Sequence, residues 1–109
     1  MPDIKWIKIT TDIFDDDRIK LIDALPGRDA ILAIWFKLLT QAGKTGKYNS
    51  SGQLLLNDEP YSDEMLSTVF DRPLNTVRLA IKTFESFKMI EIIDGIIALP
   101  IGKDTKVVL

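Results

Sequence analysis

A mainly α-helical domain with a small antiparallel sheet is predicted by three stretches of this 109-residue chain. From Pro60 to Ile90 two amphipathic runs are separated by Asp71-Arg72-Pro73, the pattern of two helices joined by a tight turn. Directly after them, Met89–Ile93 and Ile96–Pro100 flank Asp94-Gly95, the signature of a hairpin closed by a type I′ turn. Before them, Arg28 to Ala42 is apolar around most of its circumference, as a helix at the centre of a core must be.

Taken in order, Ile4–Ile9 is short, β-branched and partly alternating, and reads as a strand or extended arm. Asp15 is placed to cap a first helix, with Asp16 and Asp17 in its first turn, where carboxylates meet the positive end of the helix dipole. Phe14 and Ile19 have the spacing of a hydrophobic staple across that cap. The aspartate triplet lacks the alternating ligands and the glycine of a calcium loop, so it is read as capping and no metal is expected. Pro26-Gly27 ends this helix. In the second helix Ile31, Ile34, Trp35, Leu38 and Ala42 form one stripe, widened by Leu32, Phe36 and Leu39.

Gly43-Lys44-Thr45 has the ending of a phosphate-binding loop. Such a loop needs a glycine at position 38, which is Leu, with a strand before it and a helix behind. Gly43 is therefore read as a helix C-cap, and no nucleotide or other cofactor is expected. Tyr48 to Gly52 is a polar loop, Gln53–Asn57 a short strand that would complete a three-stranded sheet with the hairpin, and Asp58-Glu59-Pro60 a turn.

Ser62 caps the third helix, Tyr61 and Leu66 staple it, and Met65, Leu66, Val69 and Phe70 supply its buried side. Pro73 suits the first position of the fourth helix. Placed on a wheel at 100° per residue, that helix carries Leu74, Val77, Ala80, Ile81, Phe84 and Phe87 on one arc. The opposite arc holds Asn75, Thr76, Arg78, Leu79, Lys82, Thr83 and Ser86. Two cations, an amide and hydroxyls suit phosphates and base edges, and Leu79 suits a thymine methyl or a protein surface. The hairpin tip is short and acidic, so no long basic wing is available. The tail after Pro100 carries no helical or motif signal. The whole reads as one domain over residues 1–109: an arm and helix over 1–26, a winged helix-turn-helix core over 27–100, and a tail over 101–109.

Composition narrows the function. There is no cysteine and no histidine, which removes disulfide frameworks, zinc-thiolate sites and the commonest general base. No residue pair offers a nucleophile beside a base, so an enzyme is not expected. No apolar run approaches the roughly 20 residues of a membrane span, and a cytoplasmic protein away from membranes is expected. The formal charge is −2, an unusual balance for a nucleic-acid domain, but it is uneven: the first 64 residues carry 8 Lys/Arg against 11 Asp/Glu, the remainder 6 against 5.

Thr76-Val77-Arg78, Ala80-Ile81, Phe84 and Met89-Ile90 resemble the recognition-helix pattern of bacterial winged-helix proteins, with Pro73 in place of a capping Ser or Thr and Lys88 in place of Gly. If Lys88 is left-handed, a strain of roughly 1 kcal/mol follows. Five stretches together are similar to the N-terminal domain of phage replisome organisers, replication-initiation proteins of phages and prophages of low-GC Gram-positive bacteria. They are Lys5–Lys8, Thr11–Asp16, Ile34–Leu39, Pro60–Leu66 and Pro73–Ala80. The resemblance implies a winged-helix domain that binds phage origin DNA, self-associates, and helps recruit host helicase-loading proteins. In that family a Trp- and basic-rich continuation leads to a larger C-terminal region. A chain ending at Leu109 is then expected to be an excised domain or a truncated prophage product.

The DNA-facing residues expected are Asn75, Thr76, Arg78, Leu79 and Lys82 in the major groove, with Arg72 and Thr83 flanking on phosphates. Asn75 and Arg78 are the expected base readers. Two other readings fit the same pattern. One is an oligomerisation or scaffold module of a primosome-like complex with little DNA affinity, favoured by net acidity and by Leu79. The other is a winged-helix transcriptional regulator.

Overall fold

The computed structural model describes residues 6–45, 52–102 and 106–109. Four α-helices and two small antiparallel two-stranded sheets make up the fold: α1 Asp17–Asp23, α2 Arg28–Thr45, β1 Leu55–Leu56, β2 Glu59–Pro60, α3 Asp63–Phe70, α4 Leu74–Ser86, β3 Glu91–Ile93 and β4 Ile96–Ala98. No helix among the described residues is long and apolar enough to cross a membrane. The class is thus mainly α with small sheets, in the predicted order.

α2 is the centre. It packs against α1 on one flank and α4 on another, while α3 packs on α4. Ile31, Ile34, Trp35, Leu38, Leu39 and Ala42 are all buried, so the predicted stripe is the core face. Trp35 meets Phe84 of α4 with ring centroids 5.1 Å apart and planes tilted by 55°. Tilted aromatic pairs of this kind add about 0.5–1.5 kcal/mol beyond the area they bury. Gln41 Nε2 donates to the Tyr61 hydroxyl at 2.9 Å, tying the end of α2 to the residue before α3's cap.

α1 starts one residue later than expected. Ile13–Asp15 form a 3-10 turn, and Asp16, not Asp15, is the N-cap. Its Oδ1 accepts from the backbone N–H of Arg18 at 2.8 Å and of Ile19 at 3.4 Å. The shift moves Phe14 out of staple register, and its side chain is exposed, so no Phe14–Ile19 staple forms. Arg18 folds back to place Nη2 3.0 Å from Asp16 Oδ2. This pairing is the main cause holding the Asp16 carboxyl below its usual pKa, against the opposing effect of burial, and it raises that of Arg18 in turn.

α2 does not stop at Gly43. The helix runs on to Thr45 with Gly43 buried inside it, so Gly43-Lys44-Thr45 is a helical last turn rather than a C-cap. The polar stretch from Tyr48 lies outside the described residues up to Gly52. The predicted Gln53–Asn57 strand is split in two. Asn57 and Asp58, both at positive φ (51° and 66°), make the turn, and Glu59-Pro60, expected as turn, returns as β2 against β1.

The β3–β4 hairpin forms as predicted, with Ile93 opposite Ile96 and positive φ at both Asp94 (53°) and Gly95 (79°). Its third strand is reduced to a single antiparallel bridge, Gln53 to Ala98. The bridge is flanked by Leu54 N–H to Ile97 O (2.8 Å) and Leu99 N–H to Gly52 O (2.9 Å). Gly52 (φ +70°) approaches the Leu99 carbonyl so closely that a β-carbon would strike it. The tail, which has no sequence signal, is structured. Ile101 bridges Val107, Lys106 bridges Lys8 of the N-terminal arm in parallel, and Val107 is buried. The two chain ends thus close one side of the core together.

Candidate nucleic-acid interface

α3 begins on Ser62, whose Oγ accepts from Met65 N–H at 3.1 Å. In return the Met65 sulfur lies 3.5 Å from the Ser62 N–H, a capping box with sulfur in the usual carboxamide place. Tyr61 and Leu66 are both buried, as the staple requires. Leu66 and Phe70 face the core and Met65 packs at its margin. Val69, expected inside, is exposed, because α3's contact with α4 covers a narrower stripe than the sequence suggests.

The connection to α4 is a Schellman closure built on a non-glycine residue. Asp71 adopts φ 53°, its N–H reaches Thr68 O at 3.3 Å, and Arg72 N–H reaches Ser67 O at 3.1 Å. Ser67 Oγ donates to Arg72 O at 2.6 Å and pins the turn. α4 ends the same way. Lys88 sits at φ 60°, with Lys88 N–H to Glu85 O at 3.0 Å and Met89 N–H to Phe84 O at 2.8 Å. The left-handed Lys88 that the missing glycine implied is therefore present, and the chain enters the hairpin directly from it. Pro73 is the N-cap of α4 rather than its first residue, and offers no side-chain cap.

Along α4, Val77, Ala80, Ile81 and Phe84 are buried and Asn75, Arg78, Leu79 and Lys82 are exposed, which is the division the wheel predicts. Leu79 is 53 % exposed, a large apolar side chain amid polar neighbours. Thr76 and Thr83 flank this face and are half-buried. Thr83 Oγ1 donates back to Leu79 O at 2.8 Å, which occupies its proton within the helix. Arg72 is engaged at the C-terminal end of α3, where its Nη1 donates to Phe70 O (3.3 Å) and Asp71 O (3.0 Å).

Two acidic residues of α3 bear on this face as well. Arg78 Nε lies 3.3 Å from Asp63 Oδ2, and its Nη2 lies 3.0 Å from Glu64 Oε1. Both carboxylates are in the first turn of α3. No spacing rule on one helix links residues so far apart, so only the packing of α3 on α4 could reveal the contact. Among the described residues no group of acidic side chains is arranged to hold a metal ion.

The fold and this face define a helix, a three-residue turn, a second helix with a polar and cationic outer side, and a short hairpin. The chain belongs to the family of the N-terminal phage replisome organiser, which it matches over residues 6–106, nearly its full length. No curated protein and no solved structure matches it. Membership in this family makes the chain a phage replication-organiser domain, a class tied to replication initiation.

Proposed function

We propose that this chain is the DNA-binding winged-helix domain of a phage replication initiator, reading origin duplex with α4 and helping to assemble the replication machinery. The observation that carries the reading is α4 itself. In a replisome-organiser chain, its outer face presents Asn75, Arg78 and Lys82 to solvent while its inner face is buried. An exposed amide and guanidinium one turn apart suit adenine and guanine edges, and Lys82 suits a phosphate. On this reading β3–β4 is the wing. Its two-residue acidic tip contacts little DNA, leaving α4 to supply most of the interface. Thr76 and Thr83 border the groove, and Arg72 stabilises the turn more than it binds phosphate.

The test is a titration against random and origin-derived duplexes at two salt concentrations. Arg78→Ala combined with Lys82→Ala is expected to weaken binding and flatten the dependence on salt by up to about 0.9 for each phosphate no longer neutralised. Unchanged affinity and slope would falsify the assignment.

A second reading is supported by Leu79 and the exposed Val69. These apolar side chains suit a protein partner, so the same domain is also proposed to self-associate, or to dock host helicase-loading proteins, when assembled on DNA. Sedimentation of the free protein tests this. A strict monomer at all concentrations, with or without duplex, removes self-association.

A further inference from the structure

The contact of Arg78 with α3 has a geometry that bears on how, rather than whether, α4 reads a duplex. Arg78 Nε and Nη2 face two different carboxylates, Asp63 at 3.3 Å and Glu64 at 3.0 Å. A guanidinium carries five N–H donors in a rigid fork. The two bonds occupy the Nε/Nη2 side, while Nη1 makes no hydrogen bond among the described residues. With Nε and Nη2 turned toward α3, the end of the fork stays available.

Stability does not account for this arrangement. The three side chains are 51 %, 43 % and 64 % exposed. Exposed ion pairs contribute little, whereas the buried Leu66 and Phe70 seat α3 in the core. The arrangement also sets the charge around the guanidinium. Two carboxylates around one guanidinium leave the cluster with a net charge of about −1. A phosphate oxygen approaching Arg78 meets that excess negative charge. The O6 and N7 acceptors of guanine are neutral and are bonded end-on by an arginine fork. Lys82, by contrast, forms no ion pair among the described residues and remains a free point charge on the same face.

Resting on the DNA-binding reading above, we infer that Asp63 and Glu64 are positioning residues that hold Arg78 as a base reader and suppress its use as a phosphate anchor. They thereby exchange non-specific affinity for sequence discrimination. Lys82 carries the phosphate contact that Arg78 is denied.

The test measures binding of wild type, Asp63→Asn/Glu64→Gln and Arg78→Lys to two probes at two salt concentrations. One probe is a random-sequence duplex, and the other is a duplex enriched by repeated selection on the wild-type protein. The double variant is expected to bind random duplex several-fold more tightly, with a log–log salt slope steeper by about 0.9, the equivalent of one more phosphate neutralised. Its preference for the selected duplex should fall. Arg78→Lys keeps the charge but loses the fork. It should retain random-duplex affinity and lose most of the preference, which also tests the inference should the double variant fail to fold. An unchanged salt slope and random-duplex affinity in the double variant, or a preserved preference in Arg78→Lys, overturns the inference and leaves DNA binding standing. Wild-type protein that binds duplex without enriching any sequence also overturns it. Wild type that binds neither probe in low salt removes the DNA-binding reading and the inference together.

Discussion

Asp16 with Arg18, and Asp63 and Glu64 with Arg78, are two carboxylate–guanidinium contacts of opposite character. The first joins residues two apart, is partly buried, and doubles as the N-cap of α1. The second spans 14 and 15 residues, links two helices and is largely in solvent. A short-range pair at a cap supports local structure, because one carboxylate satisfies backbone donors and a side chain at once. A long-range exposed pair depends on structure built by other means. What it alters is the charge presented to a ligand, not the stability of the fold. The two contacts separate an interaction that helps make the fold from one the fold makes possible.

The largest effect should come from the core beneath α4, on which the second contact depends. Phe84→Ala removes the ring packed on Trp35 and is expected to cost about 3–5 kcal/mol in urea unfolding. A loss below about 1 kcal/mol would mean that α4 is not held through this pair. A smaller effect is expected at the local contact: Asp16→Ala should cost about 1 kcal/mol at neutral pH. Because the native pKa of Asp16 is depressed, mainly by the Arg18 hydrogen bond, its contribution is present above the ordinary value of 3.8. It is lost as pH falls through the native value. The difference between variant and wild type should therefore shrink in acid, and a penalty independent of pH would show that the carboxylate charge is not involved. The smallest effect belongs to the long-range contact. Arg78→Ala should alter stability by no more than about 0.5 kcal/mol while changing duplex binding. A larger loss in the same unfolding experiment would make Arg78 a structural residue and collapse the comparison.

The same division explains what can be read without the structure. The buried stripe of α2, the Ser62 cap, the Tyr61–Leu66 staple, the inner face of α4 and the Asp-Gly hairpin all follow from short-range periodicity or turn chemistry. Each appears where the sequence places it. Errors cluster where two local signals compete. Three aspartates in a row leave the cap ambiguous by one position, and Asp16 takes it once Ile13–Asp15 close a 3-10 turn. Gly43 carries a stop signal, but the helix continues through it, buried. Val69 is assigned inward by spacing alone, although whether a helix position is covered depends on the width of the neighbouring element.

For the candidate interface, the sequence by itself determined the helix-turn-helix order, the two faces of α4, and the left-handed residue that Lys88 would have to become. These follow from helical and strand periods and from backbone sterics, which act over a few residues. Only the tertiary structure decided that the tail pairs with the N-terminal arm and that Arg78 lies between Asp63 and Glu64. Those contacts are set by how helices and chain ends pack around α2, and charges brought together by packing leave no spacing signature in the chain.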